Sequence, residues 1–458
     1  MQQLFAQHAL LPSGWASNVR LVWNPAGDIT EVSINTAPAV DEVQHQWVLP
    51  GMINLHSHAF QRAMAGMTEM AGEGKDSFWT WRDLMYRFAR QITPEHIEAI
   101  AAQLFAECLR YGYTSICEFH YVQRAPDGAW YADIAATAKR VLAAAEQTGI
   151  GITMLPVLYS YANFGEQPLR AEQCRFQTDV ADVLAIVQAL EPLRSAQVEV
   201  GAAPHSLRAA SIAQIRALQA GLPAERPLHI HIAEQSKEVQ DCLSFSGLRP
   251  VQLLAQEIGL NARWSLIHAT HLLEDEVSSI ARSGAVAGLC PTTEANLGDG
   301  LFPLAPYLAQ GGRFGIGSDS HVSQSPVEEL RWLEYGQRLQ HQARNIACQS
   351  EQKRVGDFVW QASLAGGAQA SGRRVGALQV GKRADLLVLD AQHPNLAATP
   401  LEDVLNTLIF CGNDNLIRDV MVGGKWQVQA GRHLQQDAIA ANYVATMQQL
   451  QALRQSQE

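Results

Sequence analysis

Hydrophobic positions along this chain follow two different rhythms. Near the N-terminus the runs are short and alternate with polar residues, as in Val19-Arg-Leu-Val-Trp23 and Ile29-Thr-Glu-Val-Ser-Ile34. Alternation of this kind predicts strands, with Asn24 to Asp28 as the turn between them. From about residue 50 to 370 the pattern changes. Apolar runs appear at Met52–His56, Tyr113–Phe119, Ile150–Leu158, Val198–Ala203, Leu228–Ala233, Trp264–Ala269, Ala285–Leu289 and Arg313–Gly317. These predict buried strands. Most are separated by helical patterns, including Thr93–Tyr111, Ala132–Gln147, Thr178–Leu190 and Ile212–Ala220. Near 375 the β pattern returns with Gly376 to Asp390, and Val420-Met-Val-Gly-Gly-Lys-Trp426 predicts a hairpin with a Gly-Gly turn. Residues 436 to 454 predict a terminal helix.

Eight buried strands with helical crossovers predict a (β/α)8 TIM barrel over residues 50–374. The alternative is a doubly wound open sheet, which places ligands at a switch point rather than around a ring. Residues 1–49 and 375–435 are expected to form one small, discontinuous β-sandwich domain from both chain ends. Residues 436–458 are expected to hold the C-terminal helix. One interruption is long for a loop after a strand. Gly66 to Arg90 contains Gly72-Glu-Gly-Lys-Asp76 and then Trp79, Trp81, Arg82, Tyr86 and Phe88. It reads as an elaborated loop over the barrel mouth, or else as an amphipathic helix packed on the shell.

Composition narrows the function. The 458 residues are 47% hydrophobic and 17% charged, enough for a large core and too few charges for a disordered tail. A net charge of −11 argues against nucleic acid and anionic membranes as partners, so an anionic substrate needs local arginines. Seven cysteines without a Cys-x-x-Cys pair read as reduced, mostly buried thiols. The N-terminus lacks a signal-peptide pattern, and no apolar run approaches membrane-spanning length. These absences predict a cytoplasmic protein.

The candidate chemistry sits at strand ends. His56 and His58 close the first barrel strand two residues apart, so both rings can reach one point. The fifth strand reads Leu228-His-Ile-His-Ile-Ala-Glu234. His231 lies nearer the mouth and is the expected ligand, with His229 as a deeper, hydrogen-bonded core histidine; the reverse assignment is the alternative. Glu234, just beyond, can reach a metal-activated water without being a ligand. The sixth strand ends in His268, which is favoured over His271 in the following loop. The eighth gives Phe314-Gly-Ile-Gly-Ser-Asp319, an aspartate that can ligate and accept a proton. Each signal alone has a bland reading: a polar strand end, a solvated loop glutamate, a helix cap. Together, His56, His58, His231 and Asp319 make a zinc-type site with room for water.

This order of motifs resembles the amidohydrolase superfamily over nearly the whole chain, including Val380-Gly-Lys-Arg-Ala-Asp-Leu386. Two-metal members carry a lysine at the end of strand four. Here that stretch, Val198-Glu-Val-Gly-Ala-Ala-Pro-His-Ser-Leu-Arg208, has none, which favours one metal. The stretches His56-Ser-His-Ala-Phe-Gln-Arg-Ala63, Phe78-Trp-Thr-Trp-Arg82, Glu118-Phe-His-Tyr121, Ala203-Pro-His-Ser-Leu-Arg208, His231-Ile-Ala-Glu-Gln235 and Cys290-Pro-Thr-Thr-Glu-Ala-Asn-Leu-Gly-Asp-Gly300 resemble the formimidoylglutamate deiminase family. That resemblance implies hydrolysis of N-formimino-L-glutamate with one Zn2+ per chain, iron and manganese being alternatives. Glu234, His268 and Asp319 are then the catalytic set. Arg82 and Arg208 follow strands one and four, where they can hold the substrate's carboxylates. Gln61, Tyr121 and His205 join them as substrate-binding residues on the resemblance. A homodimer is also implied. Two rivals are a deaminase of guanine or an adenosine-like nucleoside, for which Trp79 and Trp81 could form a flat pocket, and a catalytically inactive barrel used for binding.

Overall fold

A computed structural model of the protein describes residues 2–40, 42–70 and 78–455. Four strands open the chain: β1 (Gln2–Leu11), β2 (Gly14–Trp23), β3 (Ile29–Ser33) and β4 (Gln44–Pro50). The barrel strands follow as β5 (Met52–Ser57), β6 (Tyr113–His120), β7 (Gly151–Leu158), β8 (Val198–Val200), the short β9 (Ala203–Pro204), β10 (Leu228–Ile232), β11 (Trp264–His268), β12 (Val286–Leu289) and β13 (Arg313–Ile316). Four more close the chain: β14 (Leu386–Leu389), β15 (Ile417–Val422), β16 (Lys425–Gln429) and β17 (Arg432–His433). All eight apolar runs of the central region are strands, and β8 and β9 share the fourth.

The barrel is a parallel ring in two arcs. One runs β5-β6-β7-β8, with β9 also on β7, and the other runs β10-β11-β12-β13. Two parallel bridges join the arcs, Ala202 with Leu228 and Ser57 with Asp319. The ring therefore closes, and an open doubly wound sheet is excluded. The second closure lies within the candidate site, because it pairs the strand carrying His56 and His58 with the segment carrying Asp319. Gly317 makes that approach feasible. A Cβ there would lie 2.8 Å from the Cβ of His56.

The outer strands join both chain ends in one eight-stranded ladder, in the order β17-β16-β15-β14-β4-β1-β2-β3. The strands of both chain ends thus come together in one small β unit, as expected, hydrogen-bonded as a continuous ladder. Leu4, Val19, Leu21, Trp23, Val48, Leu386, Val388 and Met421 form its own apolar cluster. β4 ends at Pro50 and β5 begins at Met52, so the N-terminal sheet leads directly into the first barrel strand. The terminal helix spans Gln436–Gln455 and packs on the helix Pro94–Arg110. That helix starts with Thr93 as its cap and Pro94 at the first helical position, the pattern expected of a helix start.

The Gly66–Arg90 interruption contains a helix, Phe78–Ala89. It lies over the barrel mouth, so both expectations for this stretch hold in part. The Gly72–Asp76 run lies outside the described residues. All seven cysteines are free, and Cys108, Cys117, Cys242 and Cys290 are buried. Among the described residues no helix is long and apolar enough to cross a membrane.

Candidate active site

The ring of strand ends carries the site. His58 follows β5 directly, His231 lies on β10, His268 ends β11, and Asp319 follows β13. Three of these ends turn through left-handed backbone, with φ of 51° at Ala233, 66° at His268 and 45° at Asp319. Such residues cost about 1–3 kcal/mol each and gather where geometry serves chemistry. Here the turns re-aim the side chains of Glu234, His268 and Asp319 towards the axis of the mouth.

His56, His58 and His231 converge, and His56 also groups with His268 and Asp319. The His231 Nε2 lies 3.0 Å from that of His56 and 3.3 Å from that of His58. The Asp319 Oδ1 is 3.4 Å from the Nε2 of both His56 and His58. Two tautomers are fixed from outside. His58 Nδ1 donates to the Phe119 carbonyl at 2.9 Å, and His231 Nδ1 to the His205 carbonyl at 3.0 Å. A carbonyl oxygen cannot donate, so the proton is on Nδ1 and each Nε2 presents a lone pair. Two buried lone pairs then face each other with a carboxylate oxygen alongside. A cation among them relieves that repulsion. Three imidazoles and one carboxylate are a donor set for a divalent metal such as zinc. The residues present therefore fit the metal. His229 lies outside the cluster, its Nε2 donating to the Ala370 carbonyl at 2.9 Å.

The electrostatics of the chain itself divide these groups. Burial drives the His56 pKa down to about 3 and also lowers His58 and His231. All three are neutral, as ligands must be. Burial works against the charge on Asp319, but the hydrogen bond with His56 and the charge of His268 hold this carboxyl below its usual range. Burial raises Glu234. It opposes a charge on His268 too, yet Glu234, Glu294 and Asp319 outweigh it and hold His268 well above the usual imidazole range. The His268 Nε2 is 3.8 Å from Glu234 Oε1 and 3.7 Å from Asp319 Oδ2. Glu234 and His268 thus hold a transferable proton near neutral pH, beside the cluster.

The same pocket extends to Gln61, Arg82, Tyr121, His205 and Arg208. Arg208 is 5% exposed, and the Nε of both Arg82 and Arg208 is buried without a partner among the described residues. Both guanidinium groups stack on Trp79, at 4.6 and 5.4 Å from the ring centre. Gln61 donates to the Tyr121 hydroxyl at 2.7 Å, and its own Oε1 has no partner among the described residues. His205 packs against Tyr159 with ring centres 4.6 Å apart. The expected ligand, catalytic and substrate-binding residues line one cavity, except His56, which is fully buried beneath it against His231.

Residues 47–427 match the model of the Amidohydrolase family, and residues 1–46 match that of the Formimidoylglutamate deiminase HutF, N-terminal domain. The chain belongs to the amidohydrolase family. Amidohydrolases of this kind are metal-dependent enzymes, in keeping with the donor set above. This amidohydrolase is 51% identical to the formimidoylglutamate deiminase of Pseudomonas aeruginosa, over 98% of the chain and 100% of the relative. The crystal structure of an amidohydrolase from Brucella melitensis superposes with a TM-score of 0.94 at 41% identity, over 98% of this chain and all of that one. An adenosine deaminase from Xanthomonas campestris, solved with bound zinc, shares the fold at 19% identity, with a TM-score of 0.80 and 98% of both chains covered.

The amidohydrolase site also contains residues that sequence reasoning passed over. Glu294 places Oε1 3.3 Å from His268 Nδ1 and also accepts the Cys290 N–H at 2.8 Å. It lay within a quoted motif, but nothing in the spacing tied it to His268, twenty-six residues away. Glu238 accepts the N–H groups of Ala233 and Glu234, fixing the strand end that presents Glu234. Its spacing of one helical turn from Glu234 was the available signal. Ser57, Glu118 and His321 form a buried chain behind the cluster, with Ser57 donating to Glu118 at 2.6 Å and lying 3.1 Å from His321 Nε2.

Proposed function

We propose that this chain hydrolyses N-formimino-L-glutamate to N-formyl-L-glutamate and ammonia, as a metal-dependent deiminase of histidine degradation. The observation that carries this reading is the two-ended pocket. A metal-type cluster with a proton-carrying pair lies at one end, and two arginines with unspent donors lie at the other. The relative in Pseudomonas aeruginosa, whose name states this activity, supports it.

His56, His58, His231 and Asp319 would hold one metal ion. Zinc suits the donor set best, with iron and manganese next. When bound, the metal acts as a Lewis acid that brings the pKa of water to about 7. Glu234 takes one proton from the attacking water and delivers it to the formimino nitrogen. Asp319 accepts the second proton, from the hydroxyl on the tetrahedral carbon, and passes it on to the same nitrogen as the C–N bond breaks, so that nitrogen leaves as ammonia. His268 donates from Nε2 to the oxygen at that carbon, stabilising the charge that gathers there. Arg82 and Arg208 hold the two carboxylates, and Gln61, Tyr121 and His205 line the path between. Both arginines are needed because the chain's net charge of −11 repels a dianion at long range.

A purine deaminase would use the same cluster but needs a flat, uncharged pocket. Trp79, which could have supplied it, has its ring beneath Arg82, Arg208 and Lys237. The reading also includes the division 1–49 with 375–435, 50–374 and 436–458, a homodimer and a cytoplasmic location. Light scattering on the purified protein tests the dimer. The deciding experiment is ammonia release by metal-replete protein from formiminoglutamate, guanine and adenosine. Turnover of the linear amidine is expected, and turnover of a purine alone would reverse the assignment.

A further inference from the structure

Two phenols at the carboxylate end have no role in the reading above. Tyr86 lies on the helix Phe78–Ala89, and Tyr159 directly follows β7. Both line the pocket, and both are buried. Their hydroxyl oxygens are 3.1 Å apart. Gln173 Nε2 lies 2.8 Å from the Tyr159 oxygen and 3.2 Å from that of Tyr86.

The direction of this network can be counted. Gln173 Oε1 accepts the backbone N–H of Arg170 at 3.0 Å. A backbone N–H only donates, so the amide oxygen must face Arg170 and the amide nitrogen must face the phenols. Nε2 carries two hydrogens, one for each phenol oxygen. The phenols own two more between them. One spans the gap from ring to ring. The other has no acceptor among the described residues. Arg82 is 5.4 Å from the centre of the Tyr86 ring, and Arg208 lies within electrostatic reach of both phenols.

We infer that Tyr86 and Tyr159, posed by Gln173, present one hydrogen-bond donor to a substrate carboxylate beside Arg82 and Arg208. The pair is therefore a specificity element for a dicarboxylate, and the inference rests on the dicarboxylate reading of the pocket. The donor can move. If the shared hydrogen changes owner, the free one shifts from one ring to the other. A single Phe variant keeps a donor, because the surviving hydroxyl no longer gives its hydrogen to a partner. Removing both hydroxyls removes it.

The test is steady-state kinetics of Tyr86→Phe, Tyr159→Phe and the double variant. Substrates are formiminoglutamate and two analogues, each lacking one carboxylate. The double variant is expected to raise KM for the diacid about 10- to 100-fold, the range for a lost hydrogen bond to a charged group. Its kcat should stay close to wild type, each single variant should change KM much less, and one of the two analogues should be almost indifferent. Should the double variant not fold, the near-isosteric Gln173→Glu carries the test. Its carboxylate accepts both phenolic hydrogens and leaves none for the substrate, so KM should rise in the same way. An unchanged KM in either variant overturns the inference, as does an equal loss with both analogues, which is the mark of damaged packing. A wild-type protein inactive on formiminoglutamate would overturn the dicarboxylate reading and this inference with it. A normal wild type beside an unchanged double variant overturns this inference alone.

Discussion

The two ends of the pocket are built in different ways. At the cluster end every candidate group sits on or just past a barrel strand, and backbone carbonyls fix the histidine tautomers. At the carboxylate end Arg82 comes from an inserted helix and Arg208 from a loop, and each keeps a buried Nε donor without a partner among the described residues. The first end has its geometry settled before anything binds. The second keeps hydrogen-bonding capacity in reserve for the ligand. Chemistry that must hold a cation and move protons needs a rigid frame. Recognition of a long, charged substrate needs reach, which loops supply.

That contrast can be broken most severely at the cluster. His56→Ala or Asp319→Ala should remove most bound metal and essentially all activity, with metal content read by mass spectrometry. Full metal occupancy in His56→Ala would take that residue out of the ligand set. Glu234→Gln tests the next level, since it separates proton transfer from metal binding. Turnover should fall by roughly two to four orders of magnitude while metal and substrate binding persist, as for other general acid–base groups. Near-normal turnover would return Glu234 to an ordinary loop position.

The opposite end should fail differently. Arg82→Met and Arg208→Met keep an apolar stem but lose the donor fork. Each should cost about 2–4 kcal/mol in kcat/KM, the range for a desolvated charged hydrogen bond. Metal content should not change. An analogue missing the matching carboxylate should suffer far less. If both variants process formiminoglutamate normally, the diacid pocket is wrong. The smallest effect is expected from Glu294→Gln, which weakens the partner of His268 without touching the ligands. A loss of about 10- to 100-fold in kcat, typical of an outer hydrogen-bond partner, should appear with KM nearly constant. A loss of metal instead would show that Glu294 supports the ligand cage and not His268.

Sequence alone determined the barrel and the cluster end. Strand runs from Met52 to Gly317 are mostly apolar, and their ends in a TIM barrel converge by construction, so His56, His58, His231, His268 and Asp319 could be brought together without coordinates. Local spacing also separated His231 from His229, because two residues along a strand change depth but not face. The particular pairs that close the ring, the strand order of the ladder from both chain ends and the placing of the helix Phe78–Ala89 against the pocket depended on contacts between distant segments. So did Glu294 against His268, Ser57 with Glu118 and His321, and Gln173 between Tyr86 and Tyr159. Tyr86 and Gln173 are eighty-seven residues apart and lie on elements with no shared periodicity. A periodic pattern records which side of its own element a residue occupies. It carries nothing about which loop will fold back against it, and that choice belongs to the packing of the whole chain.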